Sequence, residues 1–250
     1  MTVQNPYVFN SIANVYDSTR SLPQDVMAQV VESLFRQLGG SERVLEVGVG
    51  TGRFAAPLSR MGLKIIGVDL AVGMMARARA KGFNNLVLAS ATDLPFCDKS
   101  FDAALMVHLL HLIPDWRRAL VEIGRATSGS LFTVAMEREK YHEPRAIYEK
   151  RLGELGYGPA FLGLHERKLA SLLKPDDIWP VCEFEETLGT DEMIGTIERR
   201  EYSWATRMPD DLHCTVIREM RERCGDTTES VSNSMKVYRW DAERLSSIPE

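Results

Sequence analysis

The chain is poor in several things, and each absence excludes a class. Its four cysteines (Cys97, Cys182, Cys214, Cys224) are scattered, with no C-x-x-C pair. Zinc-ribbon and dithiol redox spacings are therefore absent, and a disulfide framework is foreign to a domain of this size. Reduced thiols and a cytoplasmic location are expected. No run reaches 18 apolar residues, and the first residues show no charged-then-apolar leader pattern. Neither a membrane span nor a secretion signal is expected. No strongly basic block appears and the net charge is −5, which argues against a nucleic-acid partner. Internal repeats and low-complexity stretches are also missing.

What is present suits one domain: 250 residues, 44% of them hydrophobic, enough to bury about 70–75% of the extended chain's surface. Its densest signal is Val44-Leu45-Glu46-Val47-Gly48-Val49-Gly50-Thr51-Gly52-Arg53-Phe54. A short β-branched apolar run reads as a strand buried on both faces. Glycines at every second position then allow a sharp turn and close approach of a ligand to the backbone. The amides opening the next helix favour an anion or carboxylate there. A second strand, Lys64–Asp69, ends in a carboxylate about 20 residues past Gly48, where an acid can accept two hydrogen bonds from a ribose diol.

Two ligands use such a turn: a dinucleotide or S-adenosylmethionine. In the dinucleotide pattern G-x-G-x-x-G, the third glycine packs helix against strand. Here that position is Arg53, and the third glycine comes one residue early. Glu46, two places before Gly48, would repel a pyrophosphate but could accept from an amine or from loop amides. The arrangement E-x-G-x-G-x-G resembles motif I of the class I S-adenosylmethionine-dependent methyltransferases. Leu70–Ala80 resembles that family's D-x-S-x-x-M-L-x-x-A segment, with Ala71 where Ser is frequent. Asn85–Phe96 resembles its strand followed by D-A-x-x-L-P-F, and Ser100–His108 its S-F-D-x-V strand. Over about residues 44–136 the likeness is to the broad group that includes the ubiquinone and menaquinone biosynthesis methyltransferases. It implies that Glu46, Gly48, Gly50, Gly52, Asp69, Leu70 and Met74 meet the cofactor. Asp93 would accept from the adenine amine, with Leu94 N–H donating to a ring nitrogen and Thr92 beside them. The chain lacks the Asn/Asp-Pro-Pro-Tyr/Phe motif of enzymes that methylate nucleic-acid amines.

The pattern predicts an α/β, Rossmann-like, doubly wound fold: a seven-stranded, mostly parallel sheet with an antiparallel last strand and a helical cap. Helices are expected at 8–18, 23–38, 114–126, 141–155, 164–173, 190–199 and 209–224. Strands beyond the core are expected at 181–188 and 232–240, and the resemblance implies that the last two strands form an antiparallel hairpin at the sheet edge. Within this single domain, residues 1–40 would cover the cofactor and 41–136 would bind it. Residues 137–205 would form the cap, and 206–250 a last helix and edge strand.

Ala13–Arg20 resembles the N-terminal A-x-x-Y-D-x-x-R helix of related methyltransferases, which implies that Tyr16 lies near the sulfonium and Arg20 near the cofactor's carboxylate. The alternative is a plain amphipathic helix, with Tyr16 in the core and Arg20 paired to Asp17. His108 and His111, at and past the end of the fourth strand, are the candidate acid–base residues, since imidazole titrates near neutrality; His108 also counts as a cofactor contact. Their H-x-x-H spacing could suggest a metal pair, but with no cysteine or acidic cluster near in sequence no metal is expected. The cap's aromatics (Tyr141, Tyr148, Tyr157, Phe161, Trp179, Trp204) allow a flat apolar acceptor. Arg199 and Arg200 read as surface pairs; facing a pocket, they would suit a carboxylate or phosphate. The expected function is methyl transfer from S-adenosylmethionine to a small-molecule acceptor, without nucleic acid or integral membrane association. A nicotinamide oxidoreductase and a non-catalytic cofactor-binding regulator are the competing readings.

Overall fold

The structure, a computed structural model, describes residues 6–157 and 163–248. Its elements in chain order begin with α1 (Pro6–Ile12), α2 (Tyr16–Thr19), α3 (Gln24–Leu38), β1 (Val44–Val47), α4 (Ala55–Arg60), β2 (Ile65–Asp69), α5 (Val72–Ala80), β3 (Leu86–Leu88) and β4 (Phe101–Val107). They continue with α6 (Trp116–Ala126), β5 (Thr127–Arg138), α7 (Glu143–Glu154), α8 (Glu166–Leu172), β6 (Asp177–Gly189), α9 (Thr190–Glu198), α10 (Asp210–Arg223) and β7 (Thr228–Asp241).

One seven-stranded sheet runs in the order β3-β2-β1-β4-β5-β7-β6. β1 pairs in parallel with β2 and β4, β2 with β3, and β4 with β5. β7 is antiparallel to both β5 and β6. The expected doubly wound, mostly parallel sheet is borne out, with two differences. The last strand is not the edge: β7 lies between β5 and β6, and β6 is outermost. Nor are β6 and β7 a hairpin, because α9 and α10 intervene. As the edge strand, β6 tolerates Pro180 and the register shift between Pro180 and Cys182.

The strand order reverses beside β1, so the carboxyl ends of β1, β2 and β4 open onto one crevice, the place where such sheets hold ligands. β1 is buried throughout, Glu46 included among its apolar neighbours. Two apolar layers cover the sheet. One joins α3 and α4 to it through Val30, Leu34, Leu58 and Val44. The other joins α6 and α8 through Leu120, Ile123, Leu169 and Trp240. Trp240 is fully buried and donates its indole N–H to Leu173 O at 2.8 Å.

The cap has its own core, in which Tyr148, Ile194, Ile197, Trp204, Ile217 and Met220 join α7, α9 and α10. Tyr148 Oη lies 2.6 Å from His213 Nδ1. The cap therefore includes α10, which the sequence division at 205/206 separates from it. α8, expected in the cap, packs on the main sheet instead. Trp179 belongs to the β6 strand and stacks on Phe132, and Phe161 lies outside the described residues.

The helix expected at 8–18 is broken between α1 and α2. The break frees α1 to do something the local sequence could not show. Ala71, at the N-cap of α5, has no side-chain oxygen, yet Asn10 Oδ1 accepts the Gly73 N–H at 2.7 Å. Asn10 caps α5 from another helix, and Gly73 leaves room for it, since a Cβ there would sit 3.0 Å from Asn10 Oδ1. Replacing Asn10 by Ala should cost about 1 kcal/mol of stability. Chemical denaturation measures this, and an unchanged midpoint and slope would show that the cap contributes nothing.

Candidate active site

The glycine loop is built by backbone conformation. Gly48, Gly50 and Gly52 take φ of +73°, +54° and +69°, a region L side chains enter only with strain. The loop is also tightly packed. A Cβ on Gly48 would come within 2.7 Å of the Leu109 side chain, and one on Gly52 within 3.0 Å of Ala78 Cβ. Met74 is 3% exposed and packs with Ala13 and Ala71, against Phe9 and Tyr16. It braces the loop from the α5 side.

Asp69 ends β2 and ties the loop to the start of α5. Its Oδ2 accepts from Gly50 N–H at 2.7 Å and its Oδ1 from Ala71 N–H at 2.8 Å. Burial raises its pKa, and the amide bonds partly offset this. Each oxygen keeps a lone pair for a further donor. Glu46 is 2% exposed. Burial first, and the Asp69 charge second, push its carboxyl up to about 8. Its Oε2 is buried without a hydrogen-bond partner. On the other side of the loop, Arg53 Nη2 is likewise buried without a partner, and burial lowers that guanidinium's pKa.

The N-terminal segment reaches the same place. Asp17 accepts from Thr51 Oγ1 at 2.6 Å and pairs with Lys81 at 2.6 Å, so α2 is pinned to the glycine loop and to α5. Arg20 does not pair with Asp17. Its guanidinium lies over the Tyr16 ring (4.4 Å) and the Tyr202 ring (5.3 Å), and donates to Glu201 O. One face of Tyr16 is thus already covered by a cation.

Two cavities flank these groups. The smaller, about 40 Å³, is bordered by Phe9, Gly48, Asp69, Leu70, Ala89 and Ala91 among others. The larger, about 450 Å³, lies under the cap. Tyr16, Arg20, Arg53, His108, His111, Arg138, Tyr141, Arg145, Tyr202 and Trp204 are among its walls.

The expected adenine contacts need revision. Asp93 is exposed. The Leu94 N–H, expected to meet a ring nitrogen, donates to Glu122 Oε2 at 3.0 Å instead. Thr92 Oγ1 bonds Ser90 Oγ, and its carbonyl accepts from Arg118. The residues that do face the small cavity are Ala89 and Ala91. Counting the D-A-x-x-L-P-F spacing back from Leu94 lands on Ser90 and Ala91, so the spacing held the signal that the presence of an acid at 93 obscured.

His108 follows β4 with φ +51°. Burial pushes its pKa down to about 4 and that of His111 to about 3, so both rings are neutral at pH 7 and weak proton acceptors. His111 stacks on His165, with ring centroids 5.2 Å apart and planes 10° from parallel. Gly163 N–H donates to His111 O at 2.8 Å, docking the segment before α8 here. His111, His165 and Glu166 offer ligand atoms within 4.8 Å of one another. Stacked rings hold their in-plane lone pairs in nearly parallel planes, so the two imidazoles do not converge on one point. A tetrahedral site with bonds of about 2.1 Å brings its ligand atoms to about 3.4 Å from one another.

Residues 45–131 match the family model described as a methyltransferase domain. The resemblance read from motif I and the strands after it is borne out. Demethylmenaquinone methyltransferase of Tropheryma whipplei is 36% identical to the chain over 124 residues, which are 47% of this chain and 52% of that protein. The same enzyme of Renibacterium salmoninarum is 29% identical over 155 residues, 58% and 64% of the two chains. The chain spans about half to two thirds of the length of these curated relatives. Among solved structures, a putative methyltransferase from an antibiotic biosynthesis pathway of Anabaena variabilis superposes with TM-score 0.57 at 13% identity, covering 84% of this chain and 96% of that one. An S-adenosylmethionine-dependent methyltransferase of Thermotoga maritima, described as a possible histamine N-methyltransferase, gives TM-score 0.53 at 22% identity, over 94% and 99%. These two establish the fold. No helix among the described residues is long and apolar enough to cross a membrane.

Proposed function

We propose that this protein transfers a methyl group from S-adenosylmethionine to a small-molecule acceptor held in the 450 Å³ cavity. One observation carries the reading: the glycine loop is flanked by a buried carboxylate oxygen, Glu46 Oε2, and a buried guanidinium nitrogen, Arg53 Nη2, neither with a partner. An acceptor and a donor left unsatisfied on either side of a ligand loop fit a zwitterionic amino acid, which is what the methionine end of the cofactor is. Leaving both unmet is expensive in a buried site.

In this reading Glu46 holds the ammonium, and Arg53, with Arg20, the carboxylate. Asp69 uses its remaining lone pairs on the ribose diol. Ser90 and the Ala91 segment border the adenine, in place of Asp93 and Leu94. The cofactor brings an activated methyl on a sulfonium, so the protein's task is to position the acceptor in line and exclude water. His108 and His111, neutral and facing the cavity, orient the acceptor by hydrogen bonding rather than hold a full charge. The four free thiols suit a cytoplasmic enzyme.

Calorimetric titration with S-adenosylhomocysteine, with NAD⁺ run in parallel, tests the proposal. Micromolar binding at one site for the first and none for the second is expected. Binding of NAD⁺ alone, or of neither, would defeat it.

A further inference from the structure

The cap side of the large cavity carries cations that the cofactor reading does not use. Arg138, at the end of β5, and Arg145, on α7, lie over the same Tyr141 ring, at 5.4 and 4.1 Å. Arg145 is also 5.5 Å from the Trp204 ring. Both side chains are mostly covered, 11% and 16% exposed, and both border the cavity. Arg138 meets Glu186 only at 3.5 Å, and that carboxylate also faces His142 at 3.4 Å. Arg145 turns its Nε away along its own helix to Glu149, at 2.7 Å. Burial lowers the pKa of both Arg138 and Arg20, and the nearby Arg145 charge adds to it in each case.

Like charges gathered around a cavity in a poorly solvated wall raise the energy of the protein unless an anion enters. Guanidinium forks match the two or three oxygens of a carboxylate or phosphate. Tyr141, Tyr202 and Trp204 supply ring faces beside them, and Tyr202 and Trp204 stack at 4.9 Å. The arginines singled out in the sequence do other work. Arg200 is committed to Ala205 O, Met208 O and Asp210, and Arg199 to Glu201 at 2.7 Å.

From this geometry we infer that the methyl acceptor is an anion, a small molecule carrying a carboxylate or phosphate next to a flat ring, with its charge held by Arg138 and Arg145. The inference rests on the methyltransferase reading, since it assigns the acceptor half of that site.

The test is calorimetry on the full chain saturated with S-adenosylhomocysteine, at constant ionic strength, with benzoate, phenyl phosphate and neutral benzamide as probes. At least one anion should bind with a millimolar or tighter Kd and at least tenfold better than benzamide. Which anion binds better separates a carboxylate from a phosphate acceptor. Arg138→Gln and Arg145→Gln should each erase most of that preference while leaving affinity for S-adenosylhomocysteine within about threefold of wild type. Arg145→Lys, which keeps the charge and the fold but loses the fork, should retain part of it. Equal binding of benzamide and the anions, no binding of either anion, or an anion preference that survives both Gln substitutions would overturn the inference. Failure of the wild type to bind S-adenosylhomocysteine would strike the methyltransferase reading instead.

Discussion

Substitution of Asp69 by Ala should weaken S-adenosylhomocysteine binding at least 100-fold. The carboxylate bridges Gly50 N–H and Ala71 N–H with bonds of 2.7 and 2.8 Å. It therefore both shapes the loop and offers oxygens to the ribose. Hydrogen bonds to a charged group contribute about 1.5–3 kcal/mol each, and two are lost together with the ligand's own. Gly50 stands at φ +54°, so without its acceptor the turn has little to hold its amide inward. Asp69→Asn separates the two roles. Its one carbonyl oxygen can keep one of the amide donors but cannot act as a full acceptor for a diol, so an intermediate loss is expected. Calorimetry on the three proteins decides the matter, and near-wild-type affinity in Asp69→Ala would remove the residue from the site.

That residue was legible because its meaning is local: an apolar run, an acid at its end, and a glycine loop about 20 residues earlier. The parallel core was readable for the same reason, since each strand and each helix declares itself over a short window. The contacts that complete the site are not of that kind. Asn10 caps α5 across the chain, where Ala71 offers nothing. Asp17 reaches Thr51 and Lys81, although its neighbour Arg20 is the nearer partner in sequence. Glu122 takes the Leu94 amide from another helix, which no pattern around the L-P-F segment announces. α10 joins the cap because its buried face matches those of α7 and α9, a complementarity between surfaces rather than a periodicity. Arg138 closes β5 and Arg145 lies in the first turn of α7, and it is the turn between these two elements that brings both over the Tyr141 ring.

Replacing Glu46 by Gln should do two opposite things. The carboxyl is held up at about 8 by burial and by the neighbouring Asp69 charge, against an ordinary carboxylate value near 4.3 when unfolded. Below the unfolded value both states carry the proton and the group is neutral for stability. As pH rises from there to about 8, the unfolded chain ionises while the folded one keeps its proton. Stability therefore falls by about 1.4 kcal/mol per pH unit on account of this group. Gln does not titrate, so the ligand-free variant should lose that slope and be the more stable protein by several kcal/mol near pH 8, on the order of 5 by this count. Ligand binding should move the other way. An ammonium set against Glu46 Oε2 needs the carboxylate, so wild type should release a proton on binding S-adenosylhomocysteine at pH 7 and bind it more tightly as pH rises toward 8. Glu46→Gln should release none and bind roughly 100-fold more weakly, a loss of about 3 kcal/mol. Denaturation between pH 5 and 8 reads the first effect, and calorimetry in buffers of different ionisation enthalpy reads the second. A variant with the wild-type pH slope and the wild-type proton release would show that Glu46 neither strains the free loop nor meets the cofactor's amine.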